Sequence, residues 1–428
     1  MNSPTRRDLG LAFWVGLVAL APRLFALKAF LTADEPKSWF GRSIQFLDAL
    51  ARGDWVATFD SPAPGVTTMW AGAIGLLLDY ARQGWPGPLT GYLATVPFDP
   101  LDPAILPLIR LPIVLAATLT AVLTYWWGRA AFGRLAALLA ALFIALDPFL
   151  LALTRILGHD GPVTLFIWLS LLAFLRSRQP GVGSREQGAG SNEQFTISNE
   201  QLTISNEQIS PLPPSNPPIL QPSNPPSFHP SILPPFHLPF LLLSGAFGGL
   251  AFLSKYPALF IGAFLAVTML ILHLRARQPW PQALRRWLID VSLWSLAAGL
   301  IFIILWPAMW VDPVGRTLAI INDALRASGS PHQKGSFFFG QPVPDPGLSF
   351  YLIVTLFKTT PVLWLGWLLL LTGPIIAVFQ RGRRTWHVER SAFTPPTLPP
   401  STPPILQPPQ PPTLQSSPLP TFHPFTLP

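Results

Sequence analysis

The stretch Leu9-Gly10-Leu11-Ala12-Phe13-Trp14-Val15-Gly16-Leu17-Val18-Ala19-Leu20 continues as an apolar run to about Leu31, follows Arg6-Arg7, and ends in Thr32-Ala33-Asp34-Glu35-Pro36. Such a run approaches the roughly 20 apolar residues that cross a bilayer core as a helix. The arginines in front of it resemble the start of a signal peptide, but no small-residue cleavage site follows, so the run reads as a retained anchor. The pattern recurs. Further apolar runs lie near Ala104 to Trp126, Leu135 to Leu153, Pro162 to Leu175, Leu238 to Leu253, Ala258 to Leu274, Trp287 to Val311 and Pro361 to Phe379, and Pro64 to Leu78 is an ambiguous extra one.

Composition points the same way. Of 428 residues, 50% are hydrophobic and only 11% are charged, under half the quarter usual for a soluble domain. A soluble globular enzyme, a collagen-like fibre and a wholly disordered chain are therefore poor readings. The absence of cysteine excludes disulfides, thiol catalysis and thiolate metal sites, and leaves the redox compartment open. The net charge is +8. In a membrane protein that excess falls on cytoplasmic loops and faces anionic headgroups, so membrane lipid rather than nucleic acid is the expected partner.

Positive charge also orders the runs. Arg6/Arg7, Arg129/Arg134, Arg176/Arg178, Arg275/Arg277/Arg285/Arg286 and Arg381/Arg383/Arg384 share the cytoplasmic side if eight helices cross and the segment 64–78 lies half-buried or interfacial instead of crossing. The outer loops are then roughly Thr32 to Pro103, Thr154 to Gly161, Ser254 to Pro257 and Asp312 to Gly347. This predicts an all-α integral membrane protein with about eight transmembrane helices and a cytoplasmic N-terminus, in a cell membrane. Residues 1–178 form a first membrane module of four spans and 238–380 a second.

Between the modules, 179–237 collapses into an imperfect repeat, Asn192-Glu193-Gln194-Phe195-Thr196-Ile197-Ser198 and then Asn199-Glu200-Gln201-Leu202-Thr203-Ile204-Ser205, followed by Pro-rich sequence. The tail 381–428 is also Pro-rich, and Pro-Pro-Ile-Leu-Gln-Pro occurs at both 217–222 and 403–408. Such composition cannot build a core, so both segments are expected to be disordered, with recognition by SH3-type domains a minor alternative.

The chemistry-bearing residues gather in the outer loops. Asp34-Glu35-Pro36 precedes Trp39, Phe40, Phe46, Leu47 and Leu50 at helical spacing, an amphipathic helix suited to the outer leaflet. Pro36 fits the first helical position, and acids just before it meet the positive end of the helix dipole, which keeps them ionised as a general base must be. Simple capping is the bland reading. A second acid stands in Arg155-Ile156-Leu157-Gly158-His159-Asp160-Gly161-Pro162, where a membrane-edge cap and a structural histidine are the alternatives. Pro62-Ala63-Pro64-Gly65-Val66, Lys255-Tyr256 and His332-Gln333-Lys334-Gly335-Ser336-Phe337-Phe338-Phe339-Gly340 face the same side. Cations there suit a lipid-linked phosphate, against the plain role of headgroup anchors. The acids and His159 are suitable divalent-cation ligands, but no metal-ligand spacing occurs, so no cofactor is assigned. Walker A, dinucleotide-binding and nucleophile-elbow strings are missing from the sequence.

In this order the motifs resemble glycosyltransferase family 39, the GT-C class that includes protein O-mannosyltransferases and bacterial aminoarabinose transferases. Asp34-Glu35 matches its Asp-Glu after the first helix, Pro62 to Val66 its Pro-containing juxtamembrane motif, and Arg155 with His159-Asp160 its second-loop acid. Gly249-Leu250-Ala251-Phe252-Leu253-Ser254-Lys255 is similar to its Gly-Leu-Ala-x-Leu-Thr-Lys segment; the His332 loop, Phe350-Tyr351 and Lys358-Thr359-Thr360-Pro361 resemble it too. The resemblance covers roughly 9–176 and 238–380. It implies a GT-C-like helical bundle that moves a sugar from a polyprenyl-phosphate donor to a protein, lipid or glycan acceptor at the outer face, inverting the anomeric carbon. Asp34, then Glu35, would be the base, with Asp160 positioning acceptor or sugar. Arg155, His159, Lys255, Tyr256, His332, Pro64 and Gly65 would bind substrate. The family continues through further helices where this chain turns Pro-rich after Arg384, so a truncated, inactive member is one alternative to an active enzyme. The other alternative is a polyprenol-linked glycan transporter or flippase, whose ionisable groups belong near the bilayer midplane.

Overall fold

The computed structural model describes residues 5–96, 104–178, 237–276, 278–329, 336–343, 345–361, 363–368 and 370–372. The chain divides into two units, 1–360 and 361–428. In the second, the described residues are helical. In the first, strands among the described residues are confined to a small antiparallel hairpin, Ser336–Phe338 (β1) with Gln341–Val343 (β2), in which Ser336 faces Val343. The rest is an all-α membrane protein.

Helix α1 (Arg6–Leu24) opens on a capping box in which Asp8 N–H donates to Thr5 Oγ1 at 3.3 Å and Thr5 N–H to Asp8 Oδ2 at 3.0 Å. The Asp8 carboxylate also pairs with Arg129 and Arg134, each at 2.9 Å, from α5 (Leu106–Phe132) and α6 (Arg134–Leu146). One end of three helices is thereby tied together. Toward the other end of α1, buried Arg23 donates to Ile144 O at 3.0 Å, Ala145 O at 2.8 Å and Thr154 Oγ1 at 2.9 Å. A helix leaves its last carbonyls without intrahelical donors, and Arg23 supplies them for α6.

Asp147-Pro148 then breaks the third apolar run. Proline has no N–H to continue a helix, so α7 (Pro148–Leu153) starts afresh, with Asp147 accepting from Leu150 N–H at 2.8 Å. The chain continues through α8 (Asp160–Ser177), α9 (Leu238–Ser254), α10 (Phe260–Arg275) and α11 (Trp280–Leu305). Among the described residues, four helical segments are long and apolar enough by themselves to cross a membrane: Leu106–Phe132, Asp160–Ser177, Tyr256–Arg275 and Trp280–Leu305. The expected first, third and fifth spans are helical but shorter or more charged; α1 carries Arg6, Arg7, Asp8 and Arg23. The expected eighth runs into residues outside the described set.

Interhelical packing relies on small residues. Ser170 and Ser244 each donate to the other's carbonyl at 2.8 Å across α8 and α9, and Trp294 Nε1 of α11 donates to Ser244 Oγ at 3.0 Å. A Cβ on Gly249 would strike the Ala298 backbone, so α9 and α11 approach closely only because that side chain is absent.

The segment between α1 and α5 corrects the outer-leaflet reading. A π-helical turn, Glu35–Trp39, with Pro36 in its first turn, feeds α2 (Phe40–Arg52). Trp39, Phe40, Phe46 and Leu47 do form one apolar face, but it is buried in the largest core cluster together with Val66, Met69 and Leu76 of α3 (Val66–Arg82). Protein therefore covers the face assigned to lipid. The ambiguous run 64–78 is α3, which packs on α2, α5 and α9. Helix α4 (Leu89–Thr95) closes its far end, where Tyr92 donates to Asp79 at 2.7 Å. After α11, α12 (Ala308–Val311), α13 (Pro313–Gly329), the hairpin and α14 (Ser349–Lys358) complete the first unit.

Candidate active site

Glu35 is the hub. It is 1% exposed, and its carboxylate accepts from Arg110 at 2.7 and 2.6 Å, from Thr32 N–H at 3.0 Å, from Thr32 Oγ1 at 2.9 Å and from Leu157 N–H at 2.8 Å. Burial favours its neutral form, but the hydrogen bonds from Arg110, Thr32 and Leu157 and the Arg110 charge outweigh that and hold it below the usual carboxylate range. Arg110 also donates to Phe30 O at 2.7 Å. One buried ion pair thus joins the loop after α1, the start of α5 and the loop before α8. No acceptor position on Glu35 is left for substrate chemistry.

The neighbouring acid is placed differently. Asp34 is exposed, caps no helical N–H, and lies within electrostatic reach of His159. The His159 ring packs against Trp39 with centroids 4.9 Å apart, and Arg42 stands 4.9 Å over the other ring of that pair. His159 Nε2 is 3.6 Å from Asp160 Oδ1, and Lys255 Nζ is 2.9 Å from the same oxygen. Burial and the Lys255 charge push the His159 imidazole below its ordinary range, against the pull of Asp160 and Asp34. His159 is thereby biased to the neutral form, and its buried Nδ1 has no partner. Lys358, at the end of α14, also acts electrostatically on Asp160.

Backbone geometry holds the group together. Gly65 has φ +156°, and a Cβ there would enter the Trp39 ring, so the position accepts only glycine without strain. Its N–H donates to Leu253 O at 3.0 Å, and Thr67 Oγ1 lies 2.7 Å from Ser254 Oγ. These two links fasten the start of α3 to the turn that carries Lys255. Pro64 beside them is buried.

Arg155 turns away from Asp160: it donates through Nη2 to Phe25 O, while its Nε is buried without a partner. Tyr256 opens a short 3₁₀ turn and makes no hydrogen bond among the described residues. His332 lies outside the described residues. Among those described, no group of three or more His, Asp or Glu is arranged to hold a metal ion.

An apolar cavity of about 340 Å³ is lined by Thr67, Trp70, Ile74, Ile113, Pro162, Phe166 and Leu250 among others. Two of its wall residues connect to the polar cluster: Thr67 meets Ser254, the neighbour of Lys255, and Pro162 is two residues from Asp160 in α8. An apolar wall that shares its elements with charged groups is an arrangement suited to an amphiphile with a charged head.

The sequence reading missed Arg110, Trp39, Arg42 and Lys358 as members of this group. Arg110 left a signal, because an arginine inside the run Ala104 to Trp126 demands a buried partner. Trp39 and Lys358 join it through contacts between distant segments, whereas Arg42 stands over Trp39 three residues earlier, a spacing the sequence carried.

Residues 106–183, which include Arg110, Arg155, His159 and Asp160, match the family described as dolichyl-phosphate-mannose-protein mannosyltransferase. No curated protein and no solved structure matches the chain. Over that segment the match agrees with the resemblance read from the motifs, and within the helical membrane fold this stretch is similar to membrane glycosyltransferases of the GT-C type.

Proposed function

We propose that the protein transfers a sugar from a polyprenyl-phosphate donor to a hydroxyl acceptor at the outer membrane surface, with inversion. The observation that carries this reading is a 340 Å³ apolar cavity whose wall includes Thr67, which meets Ser254 beside Lys255, and Pro162, two residues from Asp160, so that it shares its elements with the Asp34, His159, Asp160, Lys255 and Lys358 cluster. The isoprenoid tail lies in the cavity and the phosphate by the lysines. Asp34 takes the proton of the acceptor hydroxyl as its oxygen attacks the anomeric carbon; the bond from that carbon to the phosphate oxygen breaks, and the phosphate leaves with the electron pair. Lys255 and Lys358 stabilise the charge that develops on it. Asp160 orients a substrate hydroxyl, and His159 donates or accepts a hydrogen bond as a neutral ring. Glu35 and Arg110 hold the loops in register, Gly65 with Pro64 keeps the Trp39 ring in place, and Arg155 anchors the second loop.

The test is transfer of radiolabelled sugar from synthetic polyprenyl-phosphate hexoses in membranes carrying the chain. Asp34→Asn is expected to lower turnover by roughly 10²–10⁴ at unchanged expression, the range for a general base. Full transfer by both Asp34→Asn and Asp160→Asn would overturn the assignment. A transporter reading needs ionisable groups near the bilayer midplane, whereas the His273–Asp290 pair at 2.8 Å stands in the last turn of α10, beside Arg275. Movement of label across the bilayer without transfer would favour it.

A further inference from the structure

The two ion pairs of the cluster are of opposite kinds. Glu35 and Arg110 are both 1% exposed, whereas Lys255 is 40% and Asp160 52% exposed at a separation of 2.9 Å. An exposed pair of this sort adds little to stability and opens readily. Asp160 does not depend on it for all its stabilisation: it is the first residue of α8, at the end where helical N–H groups are unpaired, and His159 Nε2 stands 3.6 Å away. Lys255 is differently placed. Its ammonium carries three donors on a flexible stem, in the turn fastened by Gly65 and Thr67 to the start of α3, where Thr67 also lines the apolar cavity. A phosphate within reach of this turn would compete with Asp160 for the lysine.

Resting on the donor reading above, we propose that Lys255 is handed over: Asp160 holds it while the site is empty, the phosphate of the incoming polyprenyl-phosphate sugar takes it, and the released Asp160 carboxylate then accepts a hydrogen bond from a substrate hydroxyl. The donor thereby prepares the site for its second substrate. Without a phosphate, the Asp160–Lys255 pair keeps the carboxylate occupied.

The hand-over predicts a coupling that simple charge removal does not. Binding of farnesyl phosphate to the full chain in detergent is measured against farnesol as the uncharged control, for the wild type, Asp160→Asn, Lys255→Gln and the double variant. Asp160→Asn is expected to tighten phosphate binding about fivefold, the order set by an exposed pair. Lys255→Gln weakens it by about tenfold, and Lys255→Arg restores most of that loss. On the Lys255→Gln background, Asp160→Asn changes binding by less than about twofold. Equal tightening on both backgrounds, or none on the wild-type background, overturns the hand-over while the lysine's loss of binding still supports the donor reading. A wild type that binds farnesyl phosphate no better than farnesol overturns both. Unfolding temperatures of all five proteins, Lys255→Arg included, are measured alongside, and the exposed pair leaves them close together.

Discussion

Adjacent acids, Asp34 and Glu35, are given different surroundings by the fold. Glu35 is consumed by five hydrogen bonds, while Asp34 faces solvent beside His159. Replacing Glu35 by Gln leaves the Arg110 charge buried without its counter-ion, at a cost of roughly 3–5 kcal/mol, to be read from unfolding in detergent. The pH dependence has a definite sign. Because the Glu35 carboxyl titrates below its ordinary value in the folded chain, its stabilising effect is complete above about pH 4.3. It is lost as pH falls through the folded value, where the native state takes up the proton that the unfolded state has already bound. Wild-type stability is therefore expected to slope downward below about pH 4, with a smaller slope for Glu35→Gln; equal slopes would remove Glu35 as the cause. The family resemblance ranked Asp34 ahead of Glu35, but the difference in burial arises from Arg110 and Leu157, 75 and 122 residues away.

Among elements, α9 illustrates how close packing depends on what a side chain omits. Gly249 lies against the Ala298 backbone, whereas a Cβ on Gly299, the next residue of the facing helix, meets nothing within 4 Å. Gly249→Leu is expected to destabilise by about 1–3 kcal/mol through overpacking. Gly299→Ala is neutral or stabilising by up to about 1 kcal/mol, since alanine is the better helix former. Thermal unfolding of the two variants separates packing from propensity, and similar losses would show that α9 and α11 do not meet at Gly249. Amphipathicity in α2 was legible from Trp39, Phe40, Phe46 and Leu47. Whether lipid or protein covers such a face is not encoded in its own period, because both are apolar partners; α3 decides it here.

At the scale of the molecule, the end of α8 and the start of α9 meet although the sequence separates them by the insertion: His237 N–H donates to Ser177 O at 2.7 Å. The two helices thus need no long connection. Replacing residues 179–236 by a short Gly/Ser linker is expected to leave transfer within about twofold and to change stability only slightly, since each halving of a flexible loop is worth about 0.6 kcal/mol. Loss of transfer by a folded, membrane-inserted linker variant would assign the insertion a part in function. The composition of 179–237 had already set it apart from fold-forming sequence, and the hydrogen bond between Ser177 and His237 agrees with a bundle that bypasses it.

Apolar run length and scarce charge are enough to specify a helical membrane protein, because the hydrophobic thickness of a bilayer acts on each run locally. The order of Asp34-Glu35, Pro64-Gly65, Arg155 to Asp160 and Gly249 to Lys255 likewise pointed to family 39, since such motifs are short and contiguous. The burial of Glu35 against Arg110, the covering of α2 by α3, the pairing of Lys255 with Asp160 and the apolar cavity came only with the tertiary structure. Each is a contact between segments far apart in the chain. Desolvation and ion pairing depend on distance in space, which local periodicity does not carry.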